Sequence, residues 1–239
     1  MSQGESSHFV TQLRLDPVRR GAPEILLELR RAIVDGGVRP GSVIRVDEVA
    51  DFFGVSSIPV RAALKTLIGE GLVEHRPRAG YSVAWLSVEE YTELYLVCES
   101  LELAAIPLAV QRATAEDDER LRAAHMASSS ALEYGDELGY QHQIKLFHSA
   151  LVMPSGMRRL LSIVETTWNM TEPGQPMVAL ADEQRFSLHA EHAAQLEAFE
   201  QRDVERLIAL TVEHYRTLST TIRALPGGRE FFRGSWAPA

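Results

Sequence analysis

The sequence predicts a mainly α-helical protein in two parts: a small helical domain closed by a two-stranded hairpin, then an all-helical bundle. Three features point there. Apolar residues recur at steps of three and four along most of the chain. Strand-like patterning is confined to "LVEH" (Leu72–His75) and "YSVAW" (Tyr81–Trp85), on either side of "RPRAG". Charge is unevenly divided: residues 1–85 hold 11 Lys+Arg and 10 Asp+Glu, and residues 86–239 hold 13 and 23. A near-neutral segment therefore precedes an acidic one, as expected of two modules with different work.

The 239 residues and 45% hydrophobic content suit two ordinary globular domains. Cys98 is the one cysteine, which excludes an intramolecular disulfide framework and fits a reducing cytoplasm. No apolar run reaches the roughly 18–20 residues that span a bilayer, so no membrane role is expected. "MSQGESSHFV" lacks the basic start and apolar core of a secretory signal. The expected organisation is a disordered lead-in (1–20), a first domain (21–85), a helical domain (86–225) and a loose tail (226–239). The net charge of −9 argues against nucleic acid unless phosphate contacts are confined to the first domain.

In that domain a helix is expected over Pro23–Asp35, with Ile25, Leu26, Leu29, Ile33 and Val34 on one face. "DGG" ends it and "RPGS" turns the chain. A short helix follows over Val46–Phe53, and Gly54 breaks it. In "FFGVSSIPVRAALKTLIGEGLV" Ser56 is placed as an N-cap and Pro59 falls in the first turn, where its missing N–H costs nothing. Val60, Ala63, Leu64, Leu67 and Ile68 form an apolar stripe, opposite Ser57, Arg61 and Lys65. Gly71 is the expected stop. His75, Arg76 and Arg78 gather at the hairpin tip.

Helix, helix, glycine turn, helix and wing make a winged helix-turn-helix, whose third helix lies in the major groove of double-stranded DNA while the wing reaches phosphates or the minor groove. The stretch "LRRAIVDGGVRPGSVIRVDEVADFFGVSSIPVRAALKTLIGEGLV" resembles the DNA-binding domain of the GntR family of bacterial transcription factors, over about residues 23–85. That resemblance makes Arg61 the DNA-reading arginine and Gly80 the wing glycine. It also exposes a departure. The arginine usual after the capping serine is Ser57 here, so a good guanine reader is missing. Arg45 and Lys65 are expected to compensate on the phosphate backbone.

From Ser87 onward only helices are expected. The first opens with a Ser-x-x-Glu box, Ser87 with Glu90. The next opens with the acidic "TAEDDE", which suits the helix dipole. Others follow near Glu137–Met153, Met157–Asn169, Asp182–Gln201 and Asp203–Leu225. Six of the eight histidines lie here.

"LFHSAL" and "EHAAQLEAFEQRDVERLIALTVEHY" resemble the FCD domain, the effector-binding bundle of the FadR subgroup. The resemblance implies that His148, His192 and His214 hold a divalent metal, Zn²⁺ or Ni²⁺, with further positions open to water or a carboxylate ligand. It also implies an aspartate four residues before His148, where Ile144 stands. An arginine and an asparagine of the family are replaced by Cys98 and Met157. If Cys98, Ile144 and Met157 line the pocket, it has moved towards apolar and neutral chemistry.

The expected function is an effector-responsive regulator, a repressor working as a homodimer on a palindromic operator. The effector is expected to be an organic acid or an acyl compound. Two alternatives stand beside it: an apolar effector with no metal, or a metal-dependent enzyme on the three-histidine bundle. The sequence pairs no carboxylate with these histidines as a general base, so no catalytic residue is named and the enzyme is disfavoured.

Overall fold

The computed structural model describes residues 8–14 and 21–225. It divides into two compact units: the first holds the residues through Trp85 together with Glu172–Gly174, and the second the other described residues from Leu86. The tail at 226–239 and most of the lead-in lie outside the described residues.

The first unit runs α1 (His8–Thr11), α2 (Ala22–Val34), β1 (Val43–Ile44), α3 (Val46–Phe53), α4 (Ser57–Gly69), β2 (Val73–Arg76) and β3 (Gly80–Val83). Helix α3 has the expected bounds. Gly54 caps it in the left-handed conformation at φ +67°, which lets the chain reach α4 in three residues. Ile25, Leu29 and Ile33 of α2, Val49 and Phe53 of α3, and Val60, Leu64 and Leu67 of α4 close one core. Arg30 of α2 forks onto the Glu70 carboxylate just past α4, at 2.8 and 2.6 Å. That bidentate pair adds direction to the apolar contact between the two helices.

Four details depart from the sequence reading. Part of the lead-in is ordered: α1 buries Phe9 in the core, and Leu13 follows it there. Ser56 holds the N-cap position with extended backbone, but its hydroxyl makes no capping bond. Ile68 is 38% exposed and leaves the stripe, because Leu72 and Val73 fill that end of the core. The hairpin gains a third strand, giving the antiparallel order β1-β3-β2 with Ile44 opposite Tyr81 and His75 opposite Tyr81 on the other side.

The second unit holds α5 (Val88–Arg112), α6 (Ala115–Glu133), α7 (Glu137–Val152), α8 (Arg158–Thr171), α9 (Asp182–Glu200) and α10 (Val204–Arg223). The Ser87–Glu90 box forms as expected: Ser87 N–H donates to Glu90 at 2.7 Å and Glu90 N–H to Ser87 Oγ at 3.2 Å. Thr114 and Asp117 make a second box at the start of α6. Helices α9 and α10 run antiparallel, so residues of equal depth face one another. Gln195 donates to Thr211 at 3.2 Å, one turn from His192 and His214.

Candidate nucleic-acid interface and metal centre

The core stripe of α4 fixes what its other face shows. With Val60, Ala63, Leu64 and Leu67 buried, Ile58, Arg61, Ala62, Lys65 and Thr66 are exposed along one row. Ser57 is half-buried beside that row. Ile58, in the first turn, is 75% exposed. It is the residue the sequence reading passed over. The signal was available: an isoleucine one position after the half-buried Ser57 and two before the buried Val60 must point outward at 100° per residue.

The wing is also exposed. Arg76 reaches Glu74 at 3.0 Å and Arg45 reaches Glu48 at 3.3 Å, both as surface ion pairs. Such pairs contribute little stability, so both arginines can be drawn to a phosphate at low cost. The His75 ring packs on Tyr81 with centroids 4.5 Å apart. Arg78 sits at the tip with φ +70° and Gly80 follows at φ +87°. Nothing lies within 4 Å of where a Gly80 side chain would begin, so backbone conformation, not crowding, is what favours glycine there.

In the second unit, His148 of α7, His192 of α9 and His214 of α10 come together, all buried. One ring nitrogen from each lies within 4.8 Å of the others. His192 Nε2 and His214 Nε2 are 3.3 Å apart. His148 Nε2 and His192 Nδ1 are buried and have no hydrogen-bond partner. Burial lowers the pKa of His192 well below the usual histidine value, and the neighbouring His214 and His148 add to it. Burial likewise lowers His214, against the pull of Glu191.

Two carboxylates approach these rings, which the sequence reading did not identify, and both stand on outer ring nitrogens. A Glu102 oxygen lies 3.1 Å from His148 Nδ1, and Tyr215 OH donates to Glu102 at 2.7 Å. A Glu191 oxygen lies 2.8 Å from His214 Nδ1. Both sit on the ring nitrogen opposite Nε2. Glu102 was legible in principle: it falls on the stripe Tyr95, Cys98, Ala105, Ile106 and Ala109, all buried on α5. A carboxylate there needs a partner.

The donor set fits a divalent metal. Zinc bonds imidazole at 2.0–2.1 Å, so two nitrogens of a tetrahedral site stand about 3.3–3.4 Å apart, as the Nε2 atoms of His192 and His214 do. Imidazole nitrogens are also the ligand type that zinc and nickel accept. Of the three replaced polar positions, Cys98 and Ile144 are buried in the bundle. Burial, with Glu102 nearby, pushes the Cys98 thiol far up. Met157 is 36% exposed and lines a surface cleft of about 670 Å³ with Gly156, Arg158, Arg159, Leu160 and Ser162. A second cleft, about 980 Å³, runs between α5 and α10 past Leu96, Val212 and Arg216.

A winged helix with an outward-facing third helix, followed by an acidic helical bundle with an imidazole-lined centre, is the two-domain plan of a family of bacterial regulatory proteins. The chain belongs to the GntR family of bacterial regulatory proteins, whose domain matches residues 22–83, and its residues 93–217, just over half of the chain, match the FCD domain. It is 30% identical over 141 residues to the uncharacterized HTH-type transcriptional regulator YdhC of Bacillus subtilis (58% of this chain, 62% of that protein). It is 27% identical over 147 residues to the HTH-type transcriptional regulator McbR of Escherichia coli (62% and 66%). The aligned region thus spans just under two thirds of each of these relatives. The HTH-type transcriptional repressor GlaR of Escherichia coli is 26% identical over 199 residues, 79% of this chain and 90% of that protein. The solved structure of E. coli McbR/YncC has the same fold, with a TM-score of 0.74 at 23% identity over 86% of this chain and 97% of that one. Among the described residues no helix is long and apolar enough to cross a membrane.

Proposed function

We propose that the chain is an effector-responsive repressor that reads a palindromic operator as a homodimer in the cytoplasm. The relatives' names as regulators and repressors support the class. In this reading Arg61 is the principal base reader, and Ile58 and Ser57 complete the reading face in place of a second arginine. Arg45, Lys65, His75, Arg76 and Arg78 hold phosphates, and Gly80 shapes the wing.

The bundle senses a small organic acid through Zn²⁺ or Ni²⁺ held by His148, His192 and His214. The observation that carries this is the convergence of three buried imidazoles, two of them at the nitrogen spacing of a metal site. A bound ion there would offer an oxygen ligand a Lewis-acidic position. Cys98 and Ile144, both buried, give the surrounding bundle an apolar character that suits the less polar end of such an acid. Effector binding need only favour one spacing of the two wings: a coupling of ~1–3 kcal/mol changes operator affinity about 5–150-fold. We propose no reaction, because the two carboxylates sit behind the rings rather than where a substrate would bind.

The test uses untagged full-length protein and duplexes selected from a random pool. Operator affinity is measured with metal bound, after chelation, and with a panel of carboxylates. Failure to enrich any duplex would sink the DNA assignment. Less than a tenth of an equivalent of zinc or nickel after incubation and desalting would sink the metal assignment.

A further inference from the structure

We propose that Glu102 and Glu191 are outer carboxylates of the three-histidine centre, each setting the tautomer of one ligand ring and together supplying the negative charge that a divalent cation requires. The inference rests on the metal reading above and adds residues to it.

An ionised carboxylate can only accept hydrogen bonds. Glu102 lies 3.1 Å from His148 Nδ1, so that nitrogen carries the proton and Nε2 keeps its lone pair. The structure leaves His148 Nε2 buried without a partner, as an atom awaiting a Lewis acid would be. Glu191 does the same for His214 at 2.8 Å, and the freed His214 Nε2 is one of the two nitrogens that face each other at 3.3 Å. The two carboxylates come from α5 and α9, so separate helices act on separate rings.

Charge gives a second, independent argument. Glu102 is fully buried, and its hydrogen-bond partners are Tyr215 OH and the His148 ring, with no lysine or arginine among them. A buried carboxylate without a cation is costly. A divalent ion on the far side of the His148 ring would provide the cation. Two carboxylates would then balance its two charges without an inner acidic ligand, and the residue one turn before His148 is the buried, apolar Ile144. Carboxylates behind metal-bound histidines act in this way generally, and their loss weakens metal binding about 10–100-fold.

The decisive variant is Glu102→Gln. Its amide oxygen can still accept from Tyr215, but its NH₂ group donates to His148 Nδ1 and moves the ring proton to Nε2. Three readouts follow on full-length protein. Imidazole ¹⁵N shifts of metal-free wild type should show His148 as the Nδ1–H tautomer, and those of the variant the Nε2–H tautomer. Zn²⁺ or Ni²⁺ affinity, by chelator competition, should fall about 10–100-fold in Glu102→Gln and in Glu191→Gln. The metal-free melting temperature of Glu102→Gln should hold or rise, since a buried charge is gone.

An Nε2–H tautomer in wild type, or metal affinity within twofold of wild type in both variants, would overturn the inference while leaving the metal reading intact. A wild-type chain that binds neither ion would overturn both. Should Glu102→Gln not fold, Glu191→Gln decides, because its side chain is a quarter exposed and tolerates the change.

Discussion

His192 and His214 present their Nε2 atoms to each other across α9 and α10 at 3.3 Å. One of the two can donate to the other only while the accepting ring is neutral, and burial keeps both below the usual histidine range. In the proposed metal centre, an ion would take the place of that shared proton.

Metal should stabilise the fold. An ion that binds only the native state adds about 2.7 kcal/mol at 100 times its Kd. Thermal melts of chelated protein should shift upwards on adding zinc or nickel, and His148→Ala should lose most of that shift relative to its own metal-free melt. Equal shifts in wild type and variant would place the ion elsewhere.

Arg61 and Lys65 share the exposed row of α4 and should fail differently. Arg61→Ala is expected to cost ~1–3 kcal/mol on the selected operator, roughly 5–150-fold, and to relax preference at one or two base pairs. Lys65→Ala should weaken all duplexes alike and reduce the salt dependence by about one phosphate contact. Fluorescence anisotropy across a salt series, on operator and scrambled duplexes, separates the two. If Arg61→Ala stays within twofold of wild type on the operator, α4 is not the reading helix.

The contrast between these sites shows what a sequence can reveal. The inward stripe of α4 and the Ser87–Glu90 box depend on residues a few positions apart, so periodicity and capping rules find them. Strand β1 has two residues and exists because the β3 edge offers it a partner; nothing local marks it. Glu102 and His148 are 46 residues apart, on different helices, and only the packing of α5 against α7 makes them neighbours. Spacing along one helix cannot report such a pair. Phe9 is similar: with Val10 and Leu13 it makes an apolar set too short to mark a helix, and its place is set by a core built further along the chain.

Acid should destabilise the bundle. His125 and His189 stack face to face with centroids 4.4 Å apart, against Ser128, Ser129 and Tyr140. Burial, then the His125 neighbour, lowers His189 to about 4, and burial lowers His125 too. Between the unfolded value of about 6.5 and the folded value near 4, the unfolded chain holds the proton and the folded chain does not. Their contribution is thus complete above about pH 6.5 and is lost as pH falls through that window. In chelator, the urea midpoint should drop from pH 7 to pH 5, and less steeply in His189→Gln. An identical pH slope in the variant would show that this ring is not held neutral.

Ile58 offers a test of the missing arginine. It stands in the first turn of α4, 75% exposed, next to Ser57 and one turn before Arg61. Residues at the start of a recognition helix meet base edges, and an aliphatic side chain finds one partner there, the thymine methyl. A buried methyl-sized group contributes ~0.8 kcal/mol, or about fourfold in affinity. Replacing operator thymines one at a time by deoxyuridine removes only that methyl. One position per half-site is expected to lose about three- to fivefold with wild type and nothing further with Ile58→Ala, while Arg61→Ala keeps the sensitivity. If no thymine position is sensitive, or if Ile58→Ala keeps the same loss, Ile58 does not read a methyl group, and specificity on this face falls to Arg61 and Ser57.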